Sequence, residues 1–454
     1  MQFLGCRILI DPACQGVLSA TSSLPSPAPV RHIRLNFQAR SVRRTISAVV
    51  RFLFLVSVIP VQAAVAASES DIEYGMYLSK AGNCMSCHTR ENGDPFAGGV
   101  AFETEFGTIY STNITPDAET GIGAWTLEDF AKALREGERP DGDHLYPVFP
   151  YTSYTLASDV EVAALFAYFQ SLPPVRYEAP ENDLGFPYSQ RWTLGMWKSL
   201  YFDEGRFVPD PDRSSEWNRG AYLVNGPTHC GMCHTPRNFL GASDDDMAFT
   251  GGTYRDRIDG RSLNWSATNL TSAQSGLGSW SEDDIVSYLQ SGVNSRAGVF
   301  GPMNEVILDG TMHLQEQDLR AMAVYLKSVP ANEQKSGSDP DEATIAAGSL
   351  LYDIHCGTCH LPTGLGSEDT GPPLVGSPVT LAADPASLIN ITLYGPQLPQ
   401  TAPSEEWHAR AWKRMDPYES ILDDEKAAAL LSYIRSAWGN SSGEVSPEQV
   451  ADQR

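Results

Sequence analysis

The chain contains three copies of the spacing Cys-x-x-Cys-His, and each copy places two thiols beside an imidazole. The copies are Cys84-Met-Ser-Cys87-His88, Cys230-Gly-Met-Cys233-His234 and Cys356-Gly-Thr-Cys359-His360. With eight cysteines and nine histidines in 454 residues, chance would give about 0.003 such matches. This spacing is the attachment signature of c-type haem, in which two thiols bind the porphyrin edge and the imidazole binds iron. The sequence therefore predicts three covalently bound haems c.

Two other uses of paired cysteines fit this pattern less well. A structural zinc ion would need two Cys-x-x-Cys pairs to share one metal, and the histidine that follows every pair argues against it. A thioredoxin-like redox site needs one reactive pair rather than three pairs followed by histidine. The remaining cysteines, Cys6 and Cys14, lie near the N terminus, so none is left for a disulfide framework.

The second and third copies each offer a methionine as the sixth iron ligand. Met303 lies 69 residues after His234, and Met415 lies 55 residues after His360. A lone methionine is more often a core residue, but these two occupy similar positions in the repeat. Methionine opposite histidine raises the potential of a haem that transfers electrons. We therefore expect His/Met ligation of the second and third haems.

The first copy departs from this pattern. Phe149 lies 61 residues after His88, where a methionine is expected, and its side chain cannot bind iron. Three alternatives follow: the sixth position is open or holds water, His144 fills it, or another residue such as Met196 does. An open position predicts binding of carbon monoxide, and a second histidine predicts a lower potential than that of the other two haems.

The motifs lie in a repeated frame. Each follows a predicted opening helix, marked by Gly75-Met-Tyr-Leu78, Gly220-Ala-Tyr-Leu223 and Gly348-Ser-Leu-Leu351. Amphipathic closing helices are predicted over 160–170, 315–327 and 423–435. Thr126 and Ser281 are N-cap candidates in the first two copies, where Asn113-Ile-Thr115 also recurs as Asn269-Leu-Thr271. This frame predicts an all-α fold of three tandem class I cytochrome c domains with one covalent haem each.

The predicted boundaries follow from the repeat and from Pro-rich or polar junctions. They are a leader over 1–67, domains over 68–175, 214–331 and 342–440, a connecting segment over 176–213, a linker over 332–341 and a polar tail over 441–454. The connecting segment is rich in aromatic residues. It either packs between the first two domains or docks on a partner subunit or the membrane surface.

The N-terminal 67 residues have the pattern of a secretory signal. Several arginines between 40 and 51 precede a short apolar run over 52–59 and a small-residue stretch over 63–67. Cleavage there would remove seven arginines and one aspartate, which changes the formal charge from −24 to −30. Such an acidic protein would be repelled by phosphate, so we expect no nucleic-acid partner.

Taken together, the chain resembles the triheme cytochrome c subunit of membrane-associated periplasmic dehydrogenases. These enzymes act on alcohols, gluconate, sorbitol or fructose. The resemblance spans about 70 to 440 and rests on six segments: Phe96–Gly99, Gly107–Pro116, Gly121–Gly123, Trp217–Leu223, Gly301–Met303 and Tyr433–Asn440. Members of that family have methionine at the position of Phe149, so the family's His/Met ligation extends only to the second and third haems.

The resemblance implies an electron-transfer subunit. A separate catalytic subunit with a flavin, quinone or molybdenum cofactor would oxidise an alcohol, aldehyde, sugar or sugar acid. Electrons would pass through three haems to ubiquinone, a terminal oxidase or another respiratory acceptor. The implied location is the periplasm of a Gram-negative bacterium, attached peripherally to the outer face of the inner membrane.

The sequence contains no Ser/His/Asp set, nucleotide-binding loop or flavin fingerprint, so we do not expect this chain to be the dehydrogenase itself. Two other functions stay open at this point. One is a stand-alone multihaem enzyme or gas binder, peroxidase-like, that uses the first haem. The other is a soluble electron shuttle without a fixed partner.

Overall fold

The computed structural model describes residues 68–258, 261–335, 337–398, 412 and 414–454. The predicted leader, with Cys6 and Cys14, lies outside the described residues. Val65–Arg454 forms one compact unit. Among the described residues, no helix combines the length and apolar character needed to cross a bilayer.

The first copy of the repeat contains five helices and two strands. They are α1 (Glu69–Ala81), α2 (Cys84–His88), β1 (Ala101–Thr104), β2 (Gly107–Tyr110), α3 (Leu127–Glu136), α4 (Tyr151–Tyr154) and α5 (Asp159–Ser171). The connecting segment adds β3 (Asp183–Leu184) and α6 (Trp192–Tyr201).

The second copy has the same order of elements around its motif. They are α7 (Ser215–Asn225), α8 (Gly231–His234), β4 (Gly252–Ile258), β5 (Arg261–Ala267), α9 (Glu282–Ser291), α10 (Met303–Glu305) and α11 (Glu316–Ser328). The third copy contains α12 (Glu342–His355), α13 (Gly357–His360), α14 (Pro378–Leu381), α15 (Ala386–Tyr394), α16 (Asp424–Ser436) and α17 (Pro447–Ala451). The three predicted closing helices are therefore confirmed to within one residue at each end, as α5, α11 and α16.

Opening and closing helices cross at a glycine in every copy. A Cβ on Gly75, Gly220 or Gly348 would lie 2.0, 1.9 or 2.1 Å from a carbonyl oxygen of the closing helix. Only glycine permits this approach, because any other side chain would overlap the facing backbone. The glycines of the predicted opening helices are thus the contact points of three equivalent helix pairs.

Side-chain caps set where several helices begin. Thr126 Oγ1 accepts a hydrogen bond from Asp129 N (3.2 Å), and Ser281 Oγ accepts one from Asp284 N (3.1 Å). In each case the acidic side chain bonds back to the N-cap backbone, which completes a capping box. Both N-cap predictions are confirmed.

Two small antiparallel sheets accompany the helices, and the prediction of an all-α fold did not include them. One has the strand order β1-β2-β3, and the other is the hairpin β4-β5, paired from Gly252↔Ala267 to Ile258↔Arg261. The helical framework agrees with the prediction. The strand pairs β1-β2 and β4-β5 form in the segments that follow the first and second motifs.

Charged and hydroxyl side chains join the first copy to the second. Tyr77 on α1 donates a hydrogen bond to Asp318 on α11 (2.6 Å). Arg219 on α7 donates two more to the same carboxylate, at 2.8 and 2.7 Å. One buried carboxylate therefore ties three helices together.

The second and third copies meet where β5 lies against α15. Ser387 N donates to Ser266 Oγ (3.1 Å), and Ser387 Oγ donates to Ser266 O (2.9 Å). Asn390 Nδ2 donates to Asn264 O at 2.8 Å. These groups are buried or partly buried, so the hairpin β4-β5 is a structural part of this boundary.

The connecting segment both packs and exposes aromatic residues. Trp197 on α6 donates to Leu240 O of the second copy (2.9 Å), and Phe207 packs on Tyr222 with ring centroids 5.5 Å apart. The opposite face of α6 is apolar and exposed, as described below. The segment predicted as a polar tail is packed rather than extended, because Val445 and Val450 are buried against the third helix pair.

Candidate haem centres

All three motifs open onto one continuous cavity of about 1800 Å³. A single small-molecule ligand typically occupies about 300–1,000 Å³, so this cavity is too large for one. All six motif cysteines and the three motif histidines line it: Cys84, Cys87, His88, Cys230, Cys233, His234, Cys356, Cys359 and His360. The structure thus brings the predicted attachment residues to one shared interior.

Each motif histidine is oriented by a backbone carbonyl. Nδ1 of His88 lies 2.7 Å from Thr112 O, Nδ1 of His234 lies 2.6 Å from Thr268 O, and Nδ1 of His360 lies 2.8 Å from Pro372 O. A carbonyl can only accept, so Nδ1 carries the proton in each ring and Nε2 keeps its lone pair. That is the tautomer that a metal-binding imidazole needs.

The recurring Asn-x-Thr segments position two of these carbonyls. Asn113 follows Thr112 directly; its Oδ1 accepts from Thr115 N (2.9 Å), and its Nδ2 donates to Val175 O (2.7 Å). Asn269 follows Thr268 in the same way, with 2.7 Å to Thr271 N and 2.8 Å to Asn332 O. The repeat seen in the sequence therefore holds the acceptor of each histidine proton in place.

Burial keeps the motif side chains neutral. It lowers the pKa of His88, His234 and His360 below the ordinary value, against the opposing effect of the carbonyl hydrogen bond. Neutral imidazole is the form that binds iron. Burial also raises the pKa of the Cys84 and Cys87 thiols to about 12.

Reactive redox thiols and thiolate metal sites depend on a lowered thiol pKa, and these two thiols show the opposite shift. Within the described part of the chain, no group of three or more His, Cys, Asp or Glu residues is arranged to hold a metal ion.

Both predicted methionine ligands line the cavity. Met303 begins α10 directly after Pro302, and Gly301 precedes them with φ +50°, where a Cβ would lie 2.6 Å from the Trp265 ring. Met415 lies on the loop that returns to α15, where Tyr418 N donates to Thr392 O (3.1 Å). Local backbone geometry thus directs each methionine segment to the cavity wall.

Phe149 also lines the cavity, whereas His144 and Met196 are not among its lining residues. Phe149 packs against Tyr154 with ring centroids 5.6 Å apart. His144 faces α6 instead, with its Nδ1 3.1 Å from Nζ of Lys198. Met196 is 62% exposed on the outer face of α6. The structure therefore places neither alternative ligand of the first haem at the cavity.

Two buried indoles test whether the cavity fits haem. Trp265 and Trp280 line it, and their Nε1–H groups are buried without a hydrogen-bond acceptor among the described residues. A buried donor without a partner costs about 1–3 kcal/mol. Haem propionates are carboxylates that would accept such bonds, so the donor set, the thiols and the imidazoles all fit this group.

The first two motifs adjoin each other through His229, which directly precedes Cys230. Its Nε2 lies 3.3 Å from Gly82 O, two residues before Cys84, and its ring meets Tyr154 edge-on at 5.6 Å. The negative charge that the Cys233 thiol would carry also raises the pKa of Cys87. The first two Cys-x-x-Cys-His motifs therefore lie close together.

Sequence reasoning did not find the indole donors, the carbonyl acceptors or the contact of His229 with the first copy. The recurring Asn-x-Thr segment was the available signal for the carbonyls, since it follows the acceptor residue in both copies. His229 had no comparable signal, because its contact depends on how two copies pack.

Comparison with known proteins agrees with this site. A family model described as Cytochrome c matches residues 345–438, which include the third motif. The chain is 40% identical over 412 residues to the cytochrome c subunit of the quinone alcohol dehydrogenase of Gluconobacter oxydans (strain 621H), covering 86% of this chain and 83% of the relative. The chain belongs to the family of dehydrogenase cytochrome c subunits.

Further members of that family match with similar coverage. The fructose dehydrogenase cytochrome subunit of Gluconobacter japonicus is 38% identical over 418 residues, covering 86% of this chain and 83% of the relative. The gluconate 2-dehydrogenase cytochrome c subunit of Pantoea cypripedii is 37% identical over 409 residues, covering 86% and 90%. The resemblance stated from the sequence is confirmed, and covalently bound haem c is the cofactor of this family of cytochromes.

The residues of this cytochrome c subunit each have a defined role toward that cofactor. A c-type haem supplies one-electron chemistry at its iron. The motif cysteines would anchor the group, the carbonyl-bound histidines would offer Nε2 to it, and the aromatic side chains of the cavity wall would exclude water. Groups that are fixed in a low-dielectric interior would move little when the charge of the iron changes. An electron carrier requires this small rearrangement of its surroundings.

Proposed function

We propose that this chain relays electrons through three covalently attached haems c, from the catalytic subunit of a periplasmic dehydrogenase to ubiquinone or another respiratory acceptor. The observation that carries the proposal is the continuous cavity lined by all three Cys-x-x-Cys-His motifs. Haems held in one interior would be near enough for electrons to pass from one to the next inside the protein. The relatives named above are subunits of alcohol, fructose and gluconate dehydrogenases, and this supports a catalytic partner of that kind.

Haem stoichiometry tests the number of carriers. Alkaline pyridine spectra of the purified holoprotein should give three haems c per chain. A Cys230→Ala/Cys233→Ala variant should give two, while the control variant Gly205→Ala, outside the motifs, should keep three. A wild-type value below three would contradict the three-haem relay.

Co-purification tests the partner. A tagged chain isolated from native membranes in mild detergent should bring a stoichiometric subunit with a flavin, quinone or molybdenum cofactor. Adding that subunit's alcohol, sugar or sugar-acid substrate should then reduce the haems. A triheme protein that purifies without any partner at low salt would overturn the dehydrogenase assignment.

We further propose that α6 holds the protein at the bilayer surface. Trp192, Met196 and Leu200 follow one another at four-residue intervals on its outer face and are 67%, 62% and 69% exposed. Phe186 and Phe239 lie on neighbouring segments and are more than 80% exposed. An apolar helix face of this kind is typical of interfacial helices.

Charge and size favour lipid over a protein partner at this face. The chain has 56 acidic residues, but residues 185–202 contain no Asp or Glu. Anionic lipid headgroups would repel other parts of this acidic surface, and they would not repel this face. The exposed apolar side chains from Trp192 to Leu200 extend over about 12 Å of helix. A stable protein interface needs about 800 Å² from each partner, whereas insertion into a bilayer needs only the side chains themselves.

Vesicle sedimentation tests this attachment. Wild-type holoprotein should sediment with phosphatidylcholine vesicles that contain a minor fraction of phosphatidylglycerol, and Met196→Glu/Leu200→Glu should bind at least about tenfold more weakly. The matched control is Leu350→Glu/Ile354→Glu on α12, where the side chains are 63% and 61% exposed. Equal binding of the α6 variant and wild type would contradict the proposal. Loss of the catalytic subunit with vesicle binding retained would assign the face to that subunit.

A further inference from the structure

Among the described residues of the first copy, His88 is the only histidine or methionine that lines the cavity. Between His88 and Met196 the sequence contains a single histidine, His144, and no methionine. In the second and third copies the corresponding stretch supplies Met303 and Met415, both at the cavity wall.

His144 is held away from the cavity by a contact between its ring and α6. Nδ1 lies 3.1 Å from Lys198 Nζ. The Lys198 ammonium also donates to the carbonyls of Glu136 and Gly137 at the end of α3. Turning the imidazole toward the cavity would break this anchor of α6.

The two tyrosines that line the cavity near Phe149 use their hydroxyl groups elsewhere. Tyr154 donates its hydroxyl proton to Gly82 O (3.0 Å), and Tyr146 donates its own to Tyr188 O (2.9 Å). A tyrosine that binds iron must present a free phenolate oxygen, and neither ring does. His229, which reaches this region from the second copy, directs Nε2 at the same Gly82 carbonyl (3.3 Å).

The wall around Phe149 is apolar. Trp125, Phe130, Leu134 and Phe169 line the cavity in the same copy, and Phe130, Leu134 and Phe169 belong to its buried core. Such a surface offers no solvation to an anion, whereas a small neutral molecule loses little free energy on entering.

We infer that Phe149 leaves the first haem of this cytochrome with an open sixth position that binds a small neutral diatomic ligand, carbon monoxide being the probe. Binding forms one coordinate bond from the ligand to reduced iron and breaks no bond in the protein. The second and third haems, with Met303 and Met415, exclude the same ligand. This inference rests on the three-haem part of the proposed function.

Carbon monoxide titration of the fully reduced holoprotein tests the inference. We expect one equivalent bound per three haems, seen as a change in the Soret band of one haem. Phe149→Met should abolish binding, because the thioether supplies the missing ligand. Phe149→Leu, which also changes the side chain but cannot bind iron, should keep one equivalent.

A second variant distinguishes an open sixth position from ligation by His144. His144→Ala should leave the stoichiometry at one, whereas new binding that appears only in this variant would show that His144 is the ligand and would overturn the inference. Absence of binding in wild-type protein that contains three haems would overturn it as well. A haem count of two would instead contradict the three-haem relay, so the two failures are distinguishable.

Discussion

Gly220 lies so close to Ala321 that a Cβ on the glycine would be 1.9 Å from the alanine carbonyl oxygen. The first copy repeats this contact between Gly75 and Ala164, and the third repeats it between Gly348 and Ala429. In all three copies the Cβ of a tyrosine, four residues after the alanine, would also lie within 3 Å of a Cβ on the glycine. Each copy of the repeat is therefore closed by the same glycine–backbone contact between its opening and closing helices.

Replacing one of these glycines should weaken the helix crossing. Gly220→Ala forces α7 and α11 apart, and we expect a loss of about 1–3 kcal/mol of unfolding free energy because the clash is with backbone. Urea unfolding, monitored by haem absorbance, measures this loss of unfolding free energy. Gly205→Ala is the control, since a Cβ there would have no atom of the described residues within 4 Å beyond its own chain neighbours; equal losses in the two variants would contradict the role of the crossing.

Asp318 should stabilise the boundary between the first two copies. Asp318→Asn removes the ion pair with Arg219 and weakens the bond from Tyr77, so we expect a loss of about 1.5–3 kcal/mol. Asp283→Asn breaks an exposed pair with Arg320 (3.1 Å), and because solvent screens this pair its loss should have a much smaller effect. Comparable effects at the two positions would show that the buried network adds nothing.

The same carboxylate predicts a pH dependence. Burial alone would raise the pKa of Asp318, but hydrogen bonds from Arg219 and Tyr77 outweigh burial and lower it. A carboxyl group with a lowered folded-state pKa stabilises the fold above its unfolded value of about 3.9, and this stabilisation is lost as pH falls through the folded value. The stability difference between wild type and Asp318→Asn should be constant near neutral pH and shrink below about pH 4. A difference that grows on acidification would refute this sign.

Asn269 should tune the second haem through His234. Asn269→Ala removes the bonds that fix the Thr268 carbonyl, which should lengthen the Nδ1–H···O contact, make the imidazole less basic and raise the potential of that haem. Spectroelectrochemical titration measures the potential of each haem separately. The reciprocal control is Asn113→Ala, which should shift the first haem and leave the second unchanged; a uniform shift of all haems would point to general loosening instead.

Met303 and Met415 should each set the potential of one haem. Alanine at either position removes a thioether ligand, so the potential of that haem should fall and its iron should bind carbon monoxide. Met322→Leu is the matched control, because Met322 is a fully buried cavity-lining methionine on α11 whose substitution conserves volume. If Met322→Leu shifts a potential as far as Met303→Ala does, the ligand assignment is wrong.

The repeat made much of this site predictable. The Cys-x-x-Cys-His spacing predicted the attachment residues, which the structure brings to one cavity. Amphipathic periodicity located α5, α11 and α16 because these helices bury one face against a partner. Capping residues such as Thr126 and Ser281 act locally, so their role could be deduced without the fold.

What could not be predicted depends on contacts between distant segments. The hairpin β4-β5 contains the consecutive charged residues Arg255, Asp256 and Arg257, and α15 of the next copy stabilises it. The dipeptide Asp259-Gly260 between its strands is the one local hairpin signal in this segment. His144 looked like a candidate ligand because its sequence position fits. Only the packing of Lys198 at the end of α3 shows that its ring faces α6.

The shared interior also limits how this architecture can change by evolution. Three similar copies look like units that could be lost, duplicated or exchanged one at a time. Yet His229 of one copy lies against Gly82 of another, and α15 of the third supports a hairpin of the second. Deleting a copy would open the wall of its neighbour to water. A chain that gains or loses a copy would therefore need different side chains on the wall that the change exposes.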